Sequence, residues 1–156
     1  MTLLSQLAVL LAIVSTGIVY GADAFCALVQ RSALARVDDS TLTAMMGNVH
    51  RFADRRMPVP GILGIVAAAA ASVLAAVAGH PAGSAVAGAA FVLLVVWVLL
   101  YLRSSAPINR RLTAAAEAGE TPANARTLQQ DWDRIIVPRA VLQGLAVLAL
   151  GVSLFI

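Results

Sequence analysis

The sequence predicts an all-α integral membrane protein, a four-helix bundle with short cytoplasmic loop helices, and three features carry that prediction. Of its 156 residues, 60% are hydrophobic and only 12% are charged, where soluble domains carry about 25%. The apolar residues gather in blocks of spanning length, where a soluble helix would show a narrow stripe. The arginines stand at the ends of those blocks rather than in one patch.

A spanning helix needs roughly 20 consecutive apolar residues. Four blocks qualify, at about 3–28, 59–79, 84–102 and 135–156, and together they make a single four-span domain over 1–156. The first block has no basic start and runs into Cys26 and Leu28 without a cleavage pattern, so it reads as a span and not as a cleaved leader. "GHPAGS" at 79–84 contains no arginine and reads as a tight turn joining spans two and three into a hairpin, with His80 solvated in it. The other two connections, 31–57 and 103–134, hold ten of the eleven arginines. Basic residues in short loops stay cytoplasmic. Both long connections are therefore expected in the cytoplasm, and both termini outside, in a multi-pass plasma-membrane protein.

Each long connection has structure of its own. In "DDSTLTAMMGNVHRFADRR", Asp38, Asp39 and Ser40 are capping candidates, and Leu42, Met45, Val49 and Phe52 form a helical stripe suited to the membrane or the bundle mouth. "MPVPG" at 57–61 ends that helix, because a proline disfavours helix in the residue before it. "NRRLTAAAEAGETPANA" reads as a short helix broken at Gly119 to Pro122, and "RTLQQDWDR" leads into span four. Gly17 and Gly21 form a GxxxG pair, and Gly61, Gly64, Ser84 and Gly88 mark other close-approach faces. Such faces serve packing within the bundle or a homodimer seam.

The net charge of +3 and a pI near 10 do not indicate nucleic acid, because the arginines flank spans. The all-arginine, alanine-rich composition is read as codon bias. A single cysteine excludes an intramolecular disulfide and a multi-thiolate metal site. No P-loop, GxSxG, HExxH, paired CxxC or EF-hand pattern occurs. Having His50 and His80 on opposite sides of the membrane, as expected, argues against a bis-His haem and leaves a single-His haem through His50 as the cofactor alternative. No metal site and no resident cofactor are expected.

The candidate site residues are the polar ones near the cytoplasmic ends of the spans. Tyr20, Asp23, Ala27 and Gln30 share a helical face with Cys26 beside them. A carboxylate at depth costs several kcal/mol unless it is neutralised, paired or wetted. Asp23 is thus a working acid or base, a structural partner for an arginine such as Arg139, or a helix-end residue reaching water. His50 is four residues from Asp54, a spacing at which the carboxylate can fix the imidazole tautomer for a general base or an axial ligand. Trp132 reads as an interfacial anchor, and Arg139, two turns further in, must snorkel or pair. Pro138 removes a backbone donor beside it. Tyr101, Arg103 and Asn109 share a face at the end of span three. Catalysis is assigned to His50, Asp23 and Arg139, substrate binding to Tyr20, Cys26, Gln30, Asn109 and Trp132, and orientation to Asp54.

The chain resembles the DUF1772 family of small membrane proteins, which includes the anthrone oxygenase-like proteins. The resemblance covers almost the whole chain and rests on "LARVDD" after the first span, "RRMPVPGIL", "APINRRL", and Trp132 followed by Arg139. It implies a four-helix membrane bundle and, for anthrone oxygenase members, oxidation of a reduced polycyclic phenol to a quinone without bound metal or flavin. Asn109, Trp132 and Arg139 match the family pattern. Many relatives carry "EHP" where this chain has Gln30, Arg31 and Ser32, and a histidine where it has Val137 and Pro138, which leaves His50 or Asp23 as the base. The expected partner is a hydrophobic small molecule or lipid. The alternative is a membrane protein that binds lipid, haem or a partner subunit without catalysis.

Overall fold

The structure is a computed structural model that describes residues 2–156. Among the described residues there is no strand, and the helical turns join into five continuous helices. These are α1 (Leu3–Leu34), α2 (Asp39–Arg56), α3 (Pro58–Val77), α4 (Pro81–Ala118) and α5 (Ala125–Ser153). All except α2 are long and apolar enough to cross a membrane.

Local chemistry places the breaks. Asp38 caps α2 by accepting the Thr41 N–H at 2.8 Å. With the Ser40 and Thr41 hydroxyls adding to that bond, the Asp38 carboxyl is held down at about 2. Met57 separates α2 from α3, and Pro58 occupies the first helical position, where its missing N–H has no intrahelical partner to lose. Gly119, with φ +68°, closes α4 in a left-handed conformation that a side chain would strain.

The helices overrun the apolar blocks. The first continues to Leu34, the "NRRLTAAAEA" stretch is the unbroken end of α4, and α5 begins at Ala125, well before the apolar run. Between spans two and three only residues 78–80 leave the helix. Hydropathy registers solvent, whereas a helix ends only where its hydrogen bonding is interrupted. Pro107 does not interrupt it. Tyr101–Ser105 widens into a π-turn, with the Ala106 N–H bonding the Tyr101 carbonyl, which makes room for a ring that would crowd the carbonyl four residues back. A second π-turn lies at Cys26–Gln30, where the Arg31 N–H reaches the Cys26 carbonyl. Pro138 likewise sits inside α5 without ending it.

The chain divides into two compact units, each of four helical segments. One comprises residues up to Gly21, Pro58–Val98 and the chain from Val141 on; the other comprises Ala22–Met57 and Leu99–Ala140. In the first unit the core is built of Ala67, Ala68, Ala71, Ala87, Ala90 and Ala146 with Val9, Leu94 and Leu150. The large apolar side chains of Leu4, Leu7, Val66, Val73, Val92 and Leu148 point outward. Small residues inside and large ones outside suit a lipid solvent, where packing rather than water exclusion holds helices together. Gly64 lies so close to Thr16 that a Cβ there would sit 2.6 Å from the Thr16 hydroxyl. Ser72 donates to the Ser84 carbonyl at 2.9 Å. Gly17 and Gly21 depart from this pattern: a Cβ on either would meet nothing within 4 Å, so this pair is not a packing seam within the chain.

In the second unit α2 is turned differently from its apolar stripe. Leu42, Thr43, Met46, Gly47 and His50 are its buried face, whereas Met45, Val49 and Phe52 are exposed. Gly47 is the reason. A Cβ there would collide with the Ala116 side chain and the Leu112 carbonyl of α4, and the Thr113 hydroxyl donates to the Gly47 carbonyl at 3.2 Å. Close backbone approach on the inner face and an apolar outer stripe suited to the membrane agree on this rotation.

Candidate functional site

The second unit holds a connected polar network inside an apolar frame. Asp23, near the end of the regular turns of α1, is 6% exposed, and Arg139 of α5 is 5% exposed. One guanidinium nitrogen of Arg139 lies 3.0 Å from one carboxylate oxygen of Asp23 and 2.9 Å from the other. Its other terminal nitrogen donates to Ser105 Oγ at 2.9 Å, and the guanidinium lies over the Tyr101 ring at 5.3 Å. Both α4 contacts come from the π-turn.

From Tyr101 the network continues into α2. The Tyr101 hydroxyl donates to Asp54 Oδ1 at 2.8 Å, and Asn109 Nδ2 donates to the same oxygen at 2.9 Å. Asn109 Oδ1 in turn accepts Trp132 Nε1–H at 3.0 Å. The Trp132 and His50 rings face each other with centroids 5.5 Å apart at 51°. Four helical segments thus supply one chain of contacts from Asp23 to His50.

His50 is the chemically open member. It is 3% exposed, and its Nε2 makes no hydrogen bond. The expected bond to Asp54 is absent: no hydrogen bond joins the two, and Oδ1 of Asp54 accepts from Tyr101 and Asn109. Burial therefore dominates its titration and lowers the imidazole to about 4; the Asp54 charge opposes this shift and the Arg139 charge adds to it. At neutral pH His50 is an uncharged base.

His50 also lines a cleft of about 310 Å³ between α2 and the end of α4. His50, Arg51, Asp54 and Arg55 share one face of α2, and Arg110, Thr113, Ala114 and Glu117 share one face of α4. Arg51 pairs with Glu117 at 3.3 Å. Arg55 and Arg110 form no ion pair among the described residues.

The remaining residues singled out from sequence fall elsewhere. Cys26 donates its S–H to Gln30 Oε1 at 2.8 Å, and Gln30 Nε2 contacts Met46 Sδ at 2.9 Å, so this pair braces α1 against α2. Tyr20 belongs to the other unit, where a Cβ on Gly144 would touch its ring. Arg103 is exposed and does not join Tyr101 and Asn109. Sequence reasoning missed Ser105, Gly47 and Arg126. Arg126 fastens the start of α5 to the loop after α1 through Asp39 (3.0 and 2.7 Å) and the Leu34 and Val37 carbonyls (2.9 and 2.7 Å). Nothing in its local sequence separates it from the other loop arginines.

No family model, curated protein or solved structure matches this chain. Among the described residues no group of three or more His, Cys, Asp and Glu side chains is gathered as metal ligands would be.

Proposed function

We propose that this chain is a small membrane-embedded oxidoreductase of the anthrone oxygenase-like kind, in which His50 is the base that deprotonates a phenol, quinol or anthrone. The observation that carries the reading is the buried, uncharged imidazole of His50, its Nε2 without a hydrogen bond, in a residue that lines a cleft of about 310 Å³. That volume lies at the small end of ligand pockets, about 300–1,000 Å³. A buried polar atom without a partner is costly in a native fold unless something binds there.

For an anthrone the balanced reaction consumes one O2 per CH2 group. His50 takes one proton from the carbon, and the resulting carbanion gives its electron pair to oxygen to form a C–O bond. Protonation yields a hydroperoxide, which loses water to leave the quinone carbonyl. Arginines at the cleft stabilise the anion as it forms. Arg139 and Asp23, locked to each other, position the network rather than touch substrate, and Asn109 and Trp132 hold Asp54 and His50. In this reading the site lies on the cytoplasmic side with both termini outside, an orientation the arginine-rich connections support.

The test is oxygen consumption and quinone formation by the purified protein in detergent with anthrone and quinol substrates. Turnover lost in His50→Ala is expected, with an acidic limb in kcat/KM near pH 4 rather than 6.5. No turnover above background in the wild type refutes the reading. A second reading, ligand binding without catalysis, is favoured by the mutual neutralisation of Asp23 and Arg139, two of the three residues that the sequence suggests for catalysis. A Soret band lost in His50→Ala would assign that ligand as haem.

A further inference from the structure

Apart from Ala114, the residues lining the His50 cleft are polar or charged. Apolar atoms of these side chains still line much of the wall, so a ring can be seated there, and the polar groups decide how it is oriented. Selectivity comes from charge and hydrogen bonds. Two carboxylates line the cleft, and both are engaged: Asp54 by Tyr101 and Asn109, and Glu117 by Arg51. Thr113 is engaged as well, through the Gly47 carbonyl. Among the polar groups of the lining, the guanidinium groups of Arg55 and Arg110 have no ion pair among the described residues, and the buried Nε2 of His50 has no hydrogen bond. With His50 neutral, the lining carries a net positive charge. The two arginines stand on facing helices, so one anion between them can be gripped from both sides, and guanidinium forks suit a planar carboxylate.

From this geometry we infer that the ligand of the cleft is an aromatic acid, whose carboxylate is held by Arg55 and Arg110 and whose ring hydroxyl meets His50. This deepens the functional reading by naming its substrate class and rests on it only for His50 as the group facing the hydroxyl. A neutral phenol would leave the net positive charge of the lining uncompensated. A carboxylate beside the hydroxyl compensates that charge and anchors the ring so that its hydroxyl lies against His50.

The experiment is calorimetric binding, without oxygen, of 1-hydroxy-2-naphthoate and 1-naphthol to the full-length protein in neutral detergent. The acid is expected to bind at least about tenfold more tightly, the contribution of one charge-assisted hydrogen bond. Arg55→Gln with Arg110→Gln should abolish that preference, whereas Arg55→Lys should keep part of it. Both arginines are exposed, and unchanged melting of the variants checks that they fold. Equal affinity for the two compounds, or binding of neither, overturns the inference. Phosphatidic acid binding more tightly than the naphthoate would assign the arginines to a lipid headgroup and also overturn it. Because binding is read without oxygen, aerobic turnover of a neutral phenol can still support the reaction when the acid preference fails. Equally, the preference can stand when turnover fails.

Discussion

Replacing Asp23 by Asn keeps the shape of the side chain and removes the charge facing Arg139. Both partners are nearly inaccessible, at 6% and 5%, and the contacts are 2.9 and 3.0 Å. With charge centres about 4 Å apart and an effective dielectric near 20, the gross attraction is about 4 kcal/mol. That agrees with the roughly 3–5 kcal/mol usually lost when one partner of a buried pair is removed. For a chain of this length each kcal/mol moves the melting temperature by about 2–4 °C, so Asp23→Asn should melt about 6–20 °C lower. Asp23→Asn with Arg139→Gln should recover part of that loss, because neither charge is then left behind. The assay is thermal unfolding in detergent, followed by circular dichroism for the wild type, both single variants and the double. Arg134→Gln is the internal control, since its pair with Asp131 has side chains 76% and 50% exposed and should matter by less than about 1 kcal/mol. Salt should weaken the control pair and leave the buried one nearly unchanged. A single variant melting within about 2 °C of wild type, or a double variant with fully additive losses, would refute the buried-pair account.

Gly47→Ala should destabilise by about 1–3 kcal/mol through overpacking against Leu112 and Ala116, read as a fall in melting temperature. Gly17→Ala and Gly21→Ala fill open space and should leave melting unchanged; a shift in oligomer size by light scattering would instead reveal them as a homodimer seam. His50 is neutral in the folded protein down to about pH 4, whereas the unfolded chain takes up that proton near 6.5. Between those values the unfolded state binds more protons, so stability falls as pH drops from 6.5 to 4, by about 3 kcal/mol, and is flat above 6.5. The difference between wild type and His50→Gln across that window, measured by denaturant titration, isolates this contribution from the carboxylates. Arg126→Lys keeps the charge but loses the fork that bonds Asp39, Leu34 and Val37, and should expose the 35–38 turn to faster hydrogen exchange.

The membrane character, the four long helices and the breaks between them follow from local features. A run of apolar residues reports its solvent wherever it folds, and prolines at 58 and 81 and glycines at 79 and 119 act on their own backbone. The Asp23–Arg139 pair was also legible, because a charge deep in a span leaves few alternatives to an opposite charge at the same depth. The helix ends were not legible from hydropathy: α1 and α4 run on past their apolar blocks, and a π-turn carries α4 through Pro107.

The site was legible only in its ingredients. His50 and Asp54 stand four residues apart, a spacing that permits a hydrogen bond, but Asp54 is claimed by Tyr101 and Asn109 from another helix. Which partner a carboxylate takes depends on competitors that are distant in sequence. Likewise the stripe Met45, Val49 and Phe52 marks a face of α2 without saying whether it turns inward; Gly47, packed against Leu112 and Ala116, turns it out and carries His50 in. Side-chain identity and period are properties of one helix. Rotation, partner choice and the open valence on His50 arise only where helices meet, because close packing is a property of two surfaces.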